Sequence, residues 1–131
     1  MQLLGVQQAD SLPIQNSSHW QSVIEAMVEV VHGKRGTARH IGTDLPFQIA
    51  GKTGTAQVFG IAKDAKYDEE LLAKKLHDHA LFVAFAPADD PEIAIAVVVE
   101  NGGSGSATAA PIARKLIDVY FGIETDEPVT E

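Results

Sequence analysis

Residues 48–59, QIAGKTGTAQVF, decide the fold, because the same letters serve two incompatible architectures. A phosphate loop takes the form G-x-x-x-x-G-K-[ST] and runs from a strand into a helix, so that backbone N–H groups and a helix N-terminus converge on an anion. Position 46, where the first glycine of that pattern belongs, is Pro46, and the residues after Thr53 are GTAQVFG, which have no amphipathic period. The chain therefore reads as continuing in a strand through Gly54 and Thr55. Glycines in a strand often mark no more than a bulge. They also let another backbone lie along the strand edge and pair with its N–H and C=O groups. Thr53 and Thr55, two residues apart, project to one side and can both offer hydroxyls, while Lys52 adds a positive charge beside them. Two hydroxyls and an ammonium around one point suit a carboxylate, and a backbone N–H of the same stretch can serve an oxyanion.

Working outward, residues 1–17 are polar with scattered apolar positions and read as a loop leading in. Ser18 then looks like a helix cap. Trp20, Val23, Ile24, Met27, Val30 and Val31 recur at helical period until Gly33 supplies a stop. Residues 33–47 hold three glycines, one proline and three of the ten basic residues, which suits a surface connection. Beyond the 48–59 strand, Asp68 can cap a short helix carrying Leu71, Leu72 and Leu76. HALFVAFAP (79–87) and EIAIAVVVE (92–100) are apolar, β-branched or aromatic runs joined by a short turn, the pattern of an antiparallel hairpin. Their near-continuous hydrophobicity predicts helices over both faces. NGGSGSAT reads as a flexible link into a closing helix, AAPIARKLIDVYFG, with Pro111 in its first turn. Ile112, Leu116, Ile117 and Tyr120 would face the sheet, Gly122 would end the helix, and 123–131 would be an acidic tail. The order is antiparallel α+β: three strands covered by helices.

The totals exclude several classes. At 131 residues, 45% hydrophobic and 21% charged, the chain suits one core. A net charge of −8 speaks against a nucleic-acid surface, which needs clustered Lys and Arg. With no cysteine, disulfides and thiolate chemistry drop out. His77-x-His79 offers two ligands without a nearby third, too few for zinc, so no metal or cofactor is expected. G-x-S-x-G fails in GGSGSAT because position 106 is serine. As written, the sequence carries no export signal and no apolar run long enough to span a membrane.

K-T-G is also the third signature of penicillin-binding proteins and serine β-lactamases. Beyond that triplet, AGKTGTAQVFGI, then DHALFVAFAPADDPEIAIAVVVENGG, then the closing helix resemble the end of the transpeptidase domain of class B penicillin-binding proteins, over about residues 18–122. Gln57-Val58-Phe59-Gly60 and Glu100-Asn101-Gly102-Gly103 look like the rod-elongation branch rather than the septal one. The resemblance implies a partial penicillin-binding-protein/β-lactamase-like fold and a share in peptidoglycan D,D-transpeptidation by serine acyl transfer. Lys52 would join the polar network around the nucleophile, and the hydroxyls of Thr53 and Thr55 would hold the terminal carboxylate of a D-Ala-D-Ala stem peptide or of a β-lactam. The Thr55 N–H would form half of an oxyanion hole, and Gly54 would keep the strand thin. Lys52 and Thr55 are thus the implied catalytic residues, and Lys52, Thr53, Gly54 and Thr55 the implied substrate-binding ones. A cell-elongation glycosyltransferase partner and a place on the periplasmic face of the bacterial inner membrane follow from the same likeness.

The departure from the family pattern is as informative. None of the serines at 11, 17, 18, 22, 104 and 106 has Lys three residues on or Asn two residues on, so the S-x-x-K and S-x-N motifs are absent. The resemblance places them upstream, with the first strands of the sheet and a membrane anchor, and makes this chain a C-terminal portion that is inactive alone. Competing readings are a β-lactam-sensing domain, which shares the fold and K-T-G, and a non-catalytic peptide-binding module.

Overall fold

The computed structural model describes residues 13–58 and 77–123. The helix expected around Asp68 and the acidic tail beyond Ile123 lie outside the described residues. The first helix, α1, is Ser17–His32, and its cap is Asn16 rather than Ser18: the Asn16 side-chain oxygen accepts from the Ser18 N–H. Asn and Ser cap almost equally well, and with Asn16-Ser17-Ser18 in a row the sequence offers three adjacent candidates. At the other end the α1 carbonyls are satisfied by the chain turning back, Gly33 N–H on Glu29 and Ala38 N–H on Val30. Residues 33–47 are accordingly more than a surface connection. They include a 3₁₀ turn, Arg39–Ile41, and bury Ala38 and Ile41.

Three strands follow: β1, Ala50–Ala56; β2, His79–Ala86; and β3, Ile93–Val99. They pair antiparallel in the order β1-β2-β3. Lys52 stands opposite Val83 and Thr53 opposite Phe82, while Phe82 is opposite Val97. Directly paired residues share a face, so Gly51, Thr53 and Thr55 lie with Ala80, Phe82 and Ala84, and with Ile95, Val97 and Val99. This is the buried face. Phe82 is its largest fully buried side chain, and the alanines around it let helices come close. Lys52 and Gly54 lie on the other face with Leu81, Val83 and Val98. On that face Val83 and Val98 are 46% and 62% exposed, whereas Ala50, at the start of β1, is fully buried. The cover expected on both faces is thus complete around Phe82 and partial on the Lys52 side.

The expected flexible link is a π-helical turn, Gly105–Ala109, running without a break into the second helix, α2, Ala110–Phe121. Pro111 occupies the first turn of α2, and Gly122, in the left-handed region at φ 65°, ends it, with its N–H and that of Ile123 closing on Asp118 and Val119 carbonyls. The face α2 turns to the sheet matches the expected one only at Ile117. That residue is buried together with Ala110 and Ala113, whereas Ile112, Leu116 and Tyr120 are exposed. Both sets recur at helical spacing; the flat floor of Ala80 and Ala84 selects the slimmer one.

Candidate active-site edge

The geometry of β1 follows from alternation along the strand. The Gln48 carbonyl accepts from the Ala88 N–H, so even-numbered residues of this segment turn their backbone groups toward β2. Odd-numbered residues turn theirs away. Two bonds agree with this: the Ile49 N–H donates to His32 Nε2 at 2.9 Å, and the Thr53 carbonyl accepts from Lys52 Nζ at 2.6 Å. Hence the N–H of Thr55 also points off the sheet, along the open border of β1. Among the described residues no strand pairs with that border.

Around this border the expected residues are arranged as follows. Thr53 is half-buried and Thr55 exposed, both on the helix-covered face, as their spacing requires. Lys52 does not share that face. Its stem leaves from the opposite one, and the ammonium reaches the border by folding onto the Thr53 carbonyl. Gly54 pairs with Leu81, and a side chain added to it would meet the Leu81 Cβ at 3.3 Å, not the open border. Its thinness matters more at the backbone. Gly105, from the π-helical turn, lies so close that a Cβ there would collide with the carbonyls of Gly54 and Leu81. Only glycine allows that turn to brace the strand at this point.

Two supports of the border were not visible in the sequence. Thr37, in the connection after α1, places its Oγ1 3.0 Å from that of Thr53. His32 anchors the start of the strand through Ile49. Burial lowers the His32 pKa below its ordinary 6.5, and as a neutral acceptor it fits the Ile49 N–H. A lowered folded pKa means that the unfolded chain takes up a proton first as the pH falls. The His32 contribution is therefore complete above about pH 6.5 and is lost as pH drops from there toward the depressed folded value. His32→Gln, which keeps an acceptor but does not titrate, is expected to flatten the fall of the urea midpoint between pH 7.5 and 5.5. An unchanged slope would rule His32 out.

The His79 ring and the His77 backbone both bond to Asn101. His79 Nδ1 accepts from the Asn101 N–H and the His77 carbonyl accepts from the Asn101 amide, each at 2.9 Å, while buried Asp78 accepts from the Val58 N–H. Among the described residues no cluster of three metal-ligating side chains occurs. Nor is any helix among them long and apolar enough to cross a membrane.

The open border of β1 thus gathers two hydroxyls, an ammonium and an outward N–H, backed by α1 and the π-helical turn. The description "Penicillin binding protein transpeptidase domain" matches residues 5–118, and the chain belongs to that family. More particularly, it is similar to the peptidoglycan D,D-transpeptidase MrdA of Haemophilus influenzae, 46% identical over 102 residues, which are 78% of this chain and 16% of the relative. Among solved structures it resembles Pseudomonas aeruginosa PBP2 in complex with WCK 5153, with TM-score 0.71, 38% identity, and coverage of 97% of this chain and 25% of that one. The PBP2 of a Helicobacter pylori complex with MreC is similar at TM-score 0.70 and 28% identity, covering 92% of this chain and 21% of that one. The chain thus spans about a sixth of the curated relative it matches.

Proposed function

We propose that these residues are the C-terminal part of a PBP2-type D,D-transpeptidase and contribute the border that grips the anionic end of the stem peptide. The observation that carries this reading is the open edge of β1, where the Thr53 and Thr55 hydroxyls, the Lys52 ammonium and the Thr55 N–H are all within reach of one bound chain. A D-Ala-D-Ala terminus lying along the edge would pair with the outward backbone groups of β1, as an added strand does. Its carboxylate would take hydrogen bonds from the two hydroxyls, and Lys52 would exchange the Thr53 carbonyl for the ligand and the nucleophile's polar network. The scissile carbonyl would then face the Thr55 N–H, which stabilises the oxyanion as a serine supplied from outside these 131 residues attacks. Loss of D-alanine leaves an acyl-enzyme, which an acceptor amine resolves into a cross-link. A β-lactam would occupy the same border through its own carboxylate.

The solved Helicobacter assembly with MreC supports a multiprotein setting for the parent, in which we place an elongation glycosyltransferase and anchorage at the periplasmic face of the inner membrane. Fluorescent penicillin tests the assignment. The parent protein is expected to label covalently, with labelling competed by a D-Ala-D-Ala peptide and greatly slowed by Lys52→Ala. Residues 1–131 alone are expected to stay unlabelled, and a covalent adduct on them would overturn the placement of the nucleophile.

A further inference from the structure

We infer that Thr37 is a positioning residue for substrate recognition, orienting the Thr53 hydroxyl toward an anionic ligand; this rests on the role proposed above for Thr53. The two Oγ1 atoms are 3.0 Å apart, and this is a contact across 16 residues of sequence. Thr37 sits there because the chain after α1 is folded back and pinned on both sides. Ahead of it the Gly36 N–H bonds to the Gly33 carbonyl, and behind it the Ala38 N–H bonds to the Val30 carbonyl. Ala38 is fully buried, so the connection cannot slide. A Cβ on Gly36 would run into the carbonyls of Glu29 and Val30, so the close turn that presents Thr37 also depends on glycine.

A hydroxyl carries one proton and two lone pairs. If Thr53 gives its proton to a carboxylate, it keeps only acceptor capacity, and the neighbour at 3.0 Å must then be the donor. Thr37 thereby selects one of the two proton arrangements open to the pair: Thr37 O–H donates to Thr53, and Thr53 O–H donates to the ligand. Each bond in such a chain polarises the next. A ligand whose terminus is an ester or amide gains much less, because the charge that rewards the arrangement is missing. Thr37 therefore acts on discrimination between charged and neutral termini, through Thr53 and without touching the ligand.

The test uses the parent protein and the rate of acylation by benzylpenicillin and by its methyl ester. Thr37→Val should slow acylation by the acid about fivefold to tenfold, the loss of one hydrogen bond, and change the ester rate by less than about twofold. Thr37→Ser should restore the acid rate. In a Thr53→Val background, Thr37→Val should have no further effect. Equal slowing of acid and ester, additivity with Thr53→Val, or a wild-type acid rate in a folded Thr37→Val or Thr37→Ala protein would each overturn the inference. If Thr53→Val itself fails to separate acid from ester, it is the carboxylate role of the border that fails; if Thr53→Val separates them and Thr37→Val does not, only the role of Thr37 falls.

Discussion

Replacing Arg114 by alanine is expected to destabilise the domain by about 3–5 kcal/mol, the range for breaking a buried ion pair from one side. Arg114 Nε donates to Asp118 at 2.7 Å, and Nη1 donates to the carbonyls of Ile41 and Thr43 at 2.6 and 2.7 Å. The Asp118 side chain is only 4% exposed. Truncating Arg114 would strand that carboxylate in the protein and release the turn after Arg39–Ile41 from α2. Arg114→Lys should recover little, since one ammonium cannot reproduce the planar fork that serves three acceptors. Removing both charges, as in Arg114→Met with Asp118→Leu, should cost much less than Arg114→Ala, because no charge is then left buried without its partner. Urea unfolding of the parent's transpeptidase domain checks this. A single variant within about 1 kcal/mol of wild type, the value typical of exposed pairs, would show the pair to be peripheral.

How far the sequence carries depends on the kind of signal. β2 and β3 were legible because their apolar runs are β-branched and aromatic and bounded by turn residues, and the ends of α2 because Pro111 and Gly122 have few other uses. The sheet-facing stripe on α2 was legible only at Ile117. Periodicity finds Ile112, Leu116 and Tyr120 as readily as Ala110, Ala113 and Ile117, and what decides is the space above Ala80 and Ala84, a property of another segment. The opposite placement of Lys52 was available from the strand period of two, yet the length of its stem is what brings the ammonium back to the border. Arg114 and Asp118 show as an i,i+4 pair, but the two carbonyls that complete the site lie 73 and 71 residues earlier. Thr37 is hidden for the same reason: nothing local in Gly36-Thr37-Ala38 announces a partner on β1. That the K-T-G segment continues as a strand, by contrast, was readable, because Pro46 and the residues after Thr53 fit no phosphate loop.

The second large effect concerns a backbone group. Since the Thr55 N–H points off the sheet, proline at 55 removes no ladder bond to β2, and an edge strand accommodates proline on that side. The fold should therefore survive Thr55→Pro, whereas proline at Gly54, whose N–H faces β2, should not be tolerated. What Thr55→Pro does remove is the proposed oxyanion donor, and losing one such donor slows acyl transfer about 10²–10³-fold. Thr55→Val, which loses the hydroxyl and keeps the N–H, separates the two contributions. The most direct measurement is the rate of acylation of folded Thr55→Pro parent protein by benzylpenicillin, set against that of Thr55→Val. A further fall of about a hundredfold or more below Thr55→Val is the result this geometry predicts. Equal rates for the two folded variants would contradict it, and would mean that the open border of β1 does not face the reacting carbonyl.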